Sequence, residues 1–453
     1  MQNILDWINI INDLVWGIPL LVFLLFSGIY LTIKLKGVQF KYFIYAHKLA
    51  FTRSDKKSKG DISHFQALMT ALAATIGIGS ITGVATAISI GGLGSIFWMW
   101  IAAIFGMATK FAEGVLAIKY RVVDERNEMC GGPMYYLDKG LNSKFLGVIF
   151  AIFAAITALG TGNMVQANSV SDSLSTMLNV NPVWVGVFLI IIAGLPLIGG
   201  IKSIGKVAGI LVPTMALFYF VGSLIVILIN IKNVPFAFVS IFKGAFTGQA
   251  AAGGFVGSTV MMAIQLGVSR GIFSSEAGLG TSSIAAAAAK TDLPCRQALV
   301  SMCSVFITTG IVCTMTGLVI ATTGVVGELD VNGVPLVGAL LVMRAFDKAI
   351  LNGGVIVTIS IIPFAYSTIL GWAYYGEKAI EYLFGIRGTI PYRILYTLVL
   401  LPGSILNLNI VWGFANIMNG LMAFPNLIGL VLLSGVVASE TKTFAKLLKK
   451  EKV

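Results

Sequence analysis

The chain has 453 residues, of which 57% are hydrophobic and only 11% are charged, and its mean hydropathy is +0.91. Soluble domains carry about 25% charged residues, so this composition excludes a soluble globular protein and predicts a polytopic membrane protein. The formal net charge of +12 does not indicate a nucleic-acid partner, because the positions of the basic residues are explained by membrane topology.

Eleven apolar segments recur along the chain, and a helix needs about 20 residues to cross a bilayer. They cover about 13–35, 64–90, 92–118, 145–171, 182–200, 204–230, 251–289, 295–323, 352–384, 390–408 and 411–437. Two shorter helical patterns, Val234–Phe246 and Pro335–Ile350, each precede a long segment. We expect these two to lie at the membrane surface.

The basic residues predict the orientation. With an external N-terminus and eleven crossings, 25 Lys and Arg residues fall in cytoplasmic connections and 4 fall in external ones. Positive residues favour the cytoplasmic side of a membrane. The sequence therefore predicts a multi-pass protein of the cell membrane, with its N-terminus outside and its C-terminus in the cytoplasm.

The segment 64–90 is interrupted by Gly77, Gly79 and Gly83 in its middle. Glycine destabilises the interior of a helix. Unwound backbone inside a membrane is tolerated only where it lines a cavity or binds a ligand. The alternative is close helix packing, for which small residues are also typical. This segment alone leaves both interpretations open.

A second interruption lies in the segment 251–289, where 267–280 contains four glycines, three serines, Arg270 and Glu276. A charged side chain at bilayer depth costs about 2.5–3.5 kcal/mol, so it usually faces a partner or a wet cavity. A structural ion pair between Arg270 and Glu276 is one way to meet that cost. An open binding segment is the other.

The two interruptions lie in the second and seventh segments, five crossings apart, so the second must run in the opposite direction. Paired interruptions in two inverted halves indicate the binding site of a transporter, where helix N-termini face an anion and free carbonyls face a cation. We therefore divide the chain into an extra helix with a basic segment (1–60), two inverted repeats (61–230 and 231–437) and a basic tail (438–453).

Further polar residues lie within the predicted spans. Asn163 and Gln166 are three residues apart, and their amides can both donate to and accept from a zwitterion. Hydrogen bonds between helices are the alternative role for such amides. Lys110 and Glu113 are also three apart, and we interpret them as a structural or gating pair.

Three strings carry a resemblance to a known family: GDISHFQALMTALAATIGIGSITGVATAI, GTGNMVQANSV and SRGIFSSEAGLGTSSIAAAAA. They resemble the characteristic segments of the alanine or glycine:cation symporter family, and the resemblance runs from about Trp16 to the last span. It implies an all-α LeuT-type fold, with five helices and five inverted helices after one extra N-terminal helix. Core helices 1 and 6 would be broken at the membrane midplane.

The resemblance also implies a sodium site. The backbone carbonyls of Ala73 and Ile76 would face the ion from the first interruption. Phe364, followed three and four residues later by Ser367 and Thr368, fits the pattern of the eighth core helix in sodium-coupled members. Five neutral oxygen ligands would suit Na⁺. The alternative is that the two hydroxyls bond back to their own helix.

For the substrate, the amides around Ile78 and Gly79 would meet a carboxylate. In the sixth core helix, the segment Phe273–Gly280 resembles the pattern of the fold. Leu279 stands where that pattern has an aromatic residue, and Glu276 is charged. Trp372 would reach the pocket one turn beyond Thr368, unless it is an interfacial anchor. The expected substrate-binding residues are Thr75, Gly77, Ile78, Gly79, Asn163, Gln166, Phe273, Ser274, Glu276, Gly278 and Trp372.

Together these observations predict a secondary transporter rather than an enzyme. It would carry a small neutral amino acid, alanine or glycine, with co-transported Na⁺, by alternating access. A proton-coupled carrier of the same fold remains an alternative if Glu276 titrates during transport. An ion channel is a more distant one, since the sequence has no charged filter ring. Selectivity between L- and D-amino acids, stoichiometry and oligomeric state stay open.

Overall fold

The computed structural model describes residues 2–52, 58–247, 259–330, 333–406 and 408–451. This part of the chain is mostly helical, which confirms the predicted all-α class. A two-stranded antiparallel hairpin also forms between Val122–Val123 and Met129–Cys130. Residues 251–258 of the seventh predicted span lie outside the described residues.

The first half of the chain, up to residue 229, consists mainly of separate helices. They are α1 (Gln2–Val15), α2 (Ile18–Lys34), α3 (Val38–Lys41), α4 (Phe43–Ala50), α5 (His64–Thr75), α6 (Thr82–Gly91), α7 (Gly94–Lys119), α8 (Pro133–Leu141), α9 (Lys144–Leu159), α10 (Val165–Leu178), α11 (Pro182–Ile198) and α12 (Gly200–Ile229). A 3₁₀ turn, Ile78–Ser80, separates α5 from α6, and a π-helical turn, Gly160–Met164, joins α9 to α10.

The second half continues with helices from residue 234 onward. They are α13 (Val234–Thr247), α14 (Val260–Ser275), α15 (Ser282–Ala287), α16 (Pro294–Val305), α17 (Thr314–Thr323), α18 (Gly338–Ala349), α19 (Gly354–Phe384), α20 (Thr389–Leu398), α21 (Leu400–Ile405), α22 (Leu408–Leu432) and α23 (Ser434–Glu451). A π-helical segment, Phe306–Cys313, joins α16 to α17. Two 3₁₀ turns, Ile231–Asn233 and Ile386–Gly388, precede α13 and α20.

Among the described residues, seven helices are long and apolar enough to cross a membrane, and eight if the bent pair of α5 and α6 counts as one. The seven are Asp6–Lys34, Gly94–Lys119, Lys144–Thr176, Gly200–Ile229, Pro294–Thr323, Gly354–Phe384 and Val411–Leu432. The other three predicted spans correspond to the 17-residue α11 and to the interrupted pairs α14/α15 and α20/α21. The total of eleven spans therefore stays a prediction. The same holds for the surface position of α13 and α18.

Helix α7 occupies the centre of the packing and lies against both α14 and α16. Glycines allow this close approach. A Cβ added to Gly106 would lie 2.9 Å from the Cβ of Ala277, and one added to Gly114 would lie 2.8 Å from the Cα of Ala298. Small residues let membrane helices pack backbone to backbone. This packing brings the charged residues of α7 to the second interruption.

Candidate functional site

The first interruption separates α5 from α6, whose axes differ by 63°. Helix α5 begins with a capping box, in which the Ser63 hydroxyl accepts from the Gln66 amide and the Gln66 side chain accepts from the Ser63 amide. The helical pattern ends at Thr75, and Gly77 is extended. The glycine predicted to open this segment therefore lies at its bend.

The bend leaves backbone groups available. Among the described residues, neither the Ile76 carbonyl nor the Gly77 amide has a hydrogen-bond partner. A Cβ added to Gly77 would lie 2.5 Å from the Thr368 hydroxyl oxygen, and one added to Gly79 would lie 3.1 Å from the Phe273 ring. Buried backbone groups normally have partners, so unpaired ones beside two glycines indicate a place where a ligand binds.

Four of the five predicted sodium ligands converge at this bend. The Thr368 hydroxyl lies 3.0 Å from the Ala73 carbonyl oxygen and 2.9 Å from that of Phe364. The Ser367 hydroxyl lies 3.2 Å and 2.9 Å from the same two oxygens. The hydroxyls therefore bond back to their own helix and also reach α5. The role of these four residues and of the Ile76 carbonyl as sodium ligands stays a prediction.

The second interruption joins α14 to α15 through residues 276–281. Glu276 has a left-handed backbone with φ of 56°, and Gly278 and Gly280 have φ of 92° and 82°. A left-handed conformation costs a non-glycine residue about 1–2 kcal/mol, so the surrounding contacts must hold Glu276 in place. Its carboxylate accepts from the Thr281 hydroxyl at 2.8 Å, while its buried Oε1 has no partner among the residues that the structure describes.

Two charges from α7 complete this second interruption. Lys110 Nζ donates to the Ser275 carbonyl at 2.8 Å, where α14 ends. Glu113 Oε1 accepts from the amides of Gly278 and Gly280 at 2.9 and 3.0 Å, ahead of α15. A cation at a helix C-terminus and an anion at a helix N-terminus are both favourable. These contacts favour a structural rather than a gating role for Lys110 and Glu113. They also engage the amide of Gly278, one of the expected substrate-binding residues.

Arg270 and Glu276 do not form the structural pair that the sequence left open. Among the described residues, Arg270 has no ion pair, and its Nη1 lies 3.4 Å from the Asn416 side-chain oxygen. Its guanidinium lies 5.8 Å from the Phe273 ring centre and 5.5 Å from that of Trp412. The Glu276 carboxylate instead accepts from the Thr281 hydroxyl. The two charges thus belong to different environments.

Gly267–Gly271 also has the G-x-S-x-G spacing found around some serine nucleophiles. That motif acts at a sharp turn between a strand and a helix. Here it lies inside α14, and the Ser269 hydroxyl donates to the Leu266 carbonyl of the same helix at 3.4 Å. The spacing therefore has no catalytic meaning in this structure.

The two interruptions touch each other through side chains. The hydroxyls of Ser80 and Ser274 lie 2.8 Å apart, and the Thr316 hydroxyl donates to the Ser80 carbonyl at 2.9 Å. The Tyr219 hydroxyl lies 2.7 Å from the Thr316 hydroxyl, and the Cys313 thiol lies 3.2 Å from the Ser274 hydroxyl. Ser274 was expected from the sequence. The other four were missed, and only their polarity within apolar segments signalled them.

The amides of Asn163 and Gln166 have different surroundings. Asn163 Nδ2 donates to the Tyr396 carbonyl of α20, which is the interhelical role left open above. Gln166 Nε2 donates to the Thr161 carbonyl. Its Oε1 is buried, lacks a partner within the described part of the chain and lies 3.4 Å from a Cβ added to Gly77. The Thr75 hydroxyl bonds back to the Ala71 carbonyl at 2.9 Å. Gln166 is therefore the amide that faces the first interruption.

Two aromatic residues border the same region. The Phe273 ring stacks on Trp412 at 5.7 Å between centres and lies over Gly79. Trp372 is 2% exposed and packs directly on Gly162, so it is not an interfacial anchor. Phe273 and Trp372 are both expected substrate-binding residues, and both are buried.

The two interrupted helices are hydrogen-bonded to each other at one end. The chain before α5 bonds to the chain after α15: the Asp61 amide donates to the Ala288 carbonyl at 2.8 Å, and the Lys290 amide donates to the Ile62 carbonyl at 2.8 Å. Arg121 donates to carbonyls of both segments, including those of Ala289 and Thr291. This connection between 58–63 and 288–291, which we call the latch, joins the two interrupted helices at the end predicted to face the cytoplasm.

Comparison with known proteins identifies the family. The sequence profile described as "Sodium:alanine symporter family" matches residues 1–453. The sodium/alanine symporter AgcS of Methanococcus maripaludis is 53% identical over 99% of both chains. GlnT of Bacillus subtilis, described as a probable sodium/glutamine symporter, is 37% identical over 98% of this chain and 92% of its own.

Solved structures agree on the fold. MhsT in complex with L-phenylalanine superposes with a TM-score of 0.58 over 85% of this chain and 99% of its own, at 12% identity. A Na⁺-coupled sialic acid symporter gives 0.50 over 95% and 86%, also at 12% identity. At such identities the likeness concerns the fold alone, which is that of LeuT-type transporters. The chain belongs to the sodium:alanine symporter family and is a membrane transporter, not an enzyme.

Proposed function

We propose that the protein carries a small neutral amino acid, alanine or glycine, into the cell together with Na⁺. One observation carries this proposal: the Ser367 and Thr368 hydroxyls lie against the Ala73 and Phe364 carbonyls, beside the unpaired backbone at Gly77. Neutral oxygens suit a monovalent cation. Their contact with the first interruption makes cation binding and substrate binding interdependent.

The substrate carboxylate binds the amides at the first interruption rather than at the second. The amides of Gly278 and Gly280 already bond to Glu113, whereas the Gly77 amide has no partner among the described residues. The unpartnered Gln166 Oε1, next to Gly77, accepts from the substrate ammonium group. One zwitterion then satisfies both protein groups.

The substrate is small because aromatic rings close the space. Phe273 lies over Gly79, and Trp372 packs on Gly162. The similarity to a sodium/alanine symporter at 53% identity supports this size class. The relative described as a probable sodium/glutamine symporter is more distant, at 37%. Selectivity between L- and D-alanine is left to experiment.

Transport follows alternating access between two inverted repeats, 61–230 and 231–437. We propose eleven spans, with the N-terminus outside, the C-terminus in the cytoplasm and the two interruptions at the midplane. In that orientation the latch closes the cytoplasmic side. The cavities around Arg270 lie toward the outside. Opening of the latch would release Na⁺ and substrate inward.

A proton-coupled carrier is the second candidate, and the buried, unpartnered Glu276 Oε1 is the observation that favours it. The purified protein in liposomes separates the two. We expect an inward Na⁺ gradient to drive labelled alanine uptake, and alanine to drive ²²Na⁺ uptake, at a clamped proton gradient. Alanine uptake that is driven by the proton gradient and is independent of Na⁺ would overturn the sodium proposal.

A further inference from the structure

The segment that follows α2 folds back against the helices of the membrane domain instead of leaving them. Gln39 Nε2 donates to the Thr32 hydroxyl at 2.9 Å and to the Ile104 carbonyl at 3.4 Å, and Ile104 lies in the interior of the membrane-length helix α7. The Phe43 ring packs edge-on against Phe306 at 4.9 Å between centres, inside the membrane-length helix formed by α16 and α17. Helices α3 and α4 therefore lie beside the interior of two spans, at a depth where an exposed side chain meets phospholipid.

One face of α3 and α4 is buried and the other is exposed. Ala46 and Leu49 are buried against the protein. On the opposite face, Phe40 is 65% exposed and Ile44 is 71% exposed. Helices that lie in the membrane interface place such an apolar face at the boundary between head groups and acyl chains. Two large apolar side chains, four residues apart, are thus available to acyl chains.

The same segment is cationic and has no acidic residue to balance it. The sequence contains no Asp or Glu from residue 14 to residue 54. Its exposed lysines are Lys34, Lys36, Lys41 and Lys48, and none of them forms an ion pair in the part of the chain that the structure describes. A lysine at membrane depth extends its ammonium group toward the head groups. The cytoplasmic leaflet is rich in anionic lipids, which attract such clusters.

We propose that the exposed face of α3 and α4 binds an anionic phospholipid of the cytoplasmic leaflet. The lysine ammonium groups bind the lipid phosphate, and the acyl chains lie against Phe40 and Ile44. The exposed apolar side chains at membrane depth favour a lipid over a soluble anion, and the unbalanced charge favours an anionic over a zwitterionic lipid. This site requires only that the chain spans a membrane, and it does not rest on the proposed Na⁺ and amino-acid sites.

Native mass spectrometry of the purified protein, titrated with phosphatidylglycerol or phosphatidylcholine, tests the charge preference. We expect phosphatidylglycerol to bind at least about tenfold more tightly, because each lysine near the lipid phosphate adds attraction. Lys41→Gln/Lys48→Gln should remove most of this preference. The matched control is Lys139→Gln/Lys144→Gln, which also removes two exposed lysines. It should keep the preference, since its connection, 120–144, has as many acidic as basic residues.

Two results of the titration would overturn the proposal. One is equal affinity of the wild type for the two lipids, and the other is an unchanged preference in Lys41→Gln/Lys48→Gln. Soluble glycerol phosphate should not compete, because it has no acyl chains to contact Phe40 and Ile44. Full competition by glycerol phosphate would indicate a site for free anions and would also overturn the proposal.

A spin label at Ile44→Cys, in phosphatidylglycerol vesicles, tests the depth. The four native cysteines are buried, so the label reports on this position. We expect dissolved oxygen to relax the label and a water-soluble nickel complex to have little effect. A label at Lys139→Cys, an exposed position in the charged connection, is the control and should respond to nickel. Equal nickel accessibility at the two positions would place Ile44 in water and contradict the proposal. Neither measurement uses Na⁺ or alanine, so its failure would leave the proposed function intact.

Discussion

The Thr368 hydroxyl donates to the Ala73 carbonyl at 3.0 Å and so joins α19 to the last turn of α5. Both atoms are predicted ligands of the same cation, and the Gly77 backbone is in contact with Thr368. A cation that takes the place of these hydrogen bonds would alter the position of the bend. The coupling between Na⁺ and substrate is therefore expected to pass through this contact.

The first prediction concerns Na⁺. Changing both Ser367 and Thr368 to Ala should raise the half-saturating Na⁺ concentration at least about tenfold, because two ligands are lost. Alanine affinity at saturating Na⁺ should change much less. The matched control is Ser360→Ala in the same helix, whose buried hydroxyl only bonds back to the Ile356 carbonyl. An unaltered Na⁺ dependence in the double variant would remove both residues from the site.

The second prediction concerns the bend. A methyl group at Gly77 would meet the Thr368 hydroxyl at 2.5 Å, so Gly77→Ala should weaken the binding of both Na⁺ and alanine. Gly79→Val should abolish alanine binding, because its side chain would press on the Phe273 ring. At Gly83 the nearest atom is 3.9 Å away, so Gly83→Ala is the control in the same segment. Alanine binding retained in both site variants would mean that the glycines serve packing only.

The sequence predicts much of this site because glycine and serine inside apolar spans are local signals. The runs Ala73–Gly79 and Phe364–Thr368 come together as the resemblance implies. The partners of the second interruption leave no such local signal. Glu113 bonds to Gly278 although 165 residues separate them, and sequence spacing alone cannot pair them.

Other residues were missed for the same physical reason. Trp412 and Asn416 lie in a span whose composition is ordinary, and only tertiary packing brings them to Arg270. The Arg121 contacts are also invisible in the sequence, since its partners are backbone carbonyls that any residue supplies. Long-range contacts to main-chain atoms leave no side-chain pattern to read.

The third prediction concerns the second interruption. Glu113→Ala should lower the melting temperature of the purified protein strongly, because the buried amides of Gly278 and Gly280 lose their acceptor. Each unsatisfied buried donor costs about 1–3 kcal/mol. Glu113→Gln keeps one acceptor oxygen and should be clearly milder. Equal melting temperatures for the two variants would show that this carboxylate does not hold the interruption.

The fourth prediction concerns the latch. Arg121→Ala should speed amide hydrogen exchange at Asp61, Lys290 and Thr291, whose amides bond across the latch. The physical reason is that Arg121 bonds to carbonyls on both sides and holds the segments together. Lys119→Ala, at the end of α7 and two residues before Arg121, loses a partly exposed ion pair with Glu440 and should leave the exchange unchanged. Identical exchange in both variants would contradict the role of Arg121.

The last prediction concerns substrate size. In the proposed site, Phe273 and Trp372 would close the space beyond the substrate α-carbon and would leave room for hydrogen or methyl but not for an isobutyl group. A missing methylene costs about 1–3 kcal/mol, whereas an oversized group must displace packed rings. Wild type should therefore accept glycine and alanine and reject leucine.

Truncation of either ring should shift that limit. Phe273→Ala removes the ring over Gly79, and Trp372→Ala removes the indole that packs on Gly162. Both should admit larger apolar amino acids, with weaker alanine binding. A graded series from glycine to leucine, competing against labelled alanine in Na⁺, measures the shift. The control is Trp184→Ala, which removes an exposed indole at the start of α11 and should leave the limit unchanged. If neither truncation moves the limit, these rings do not form the wall of the pocket.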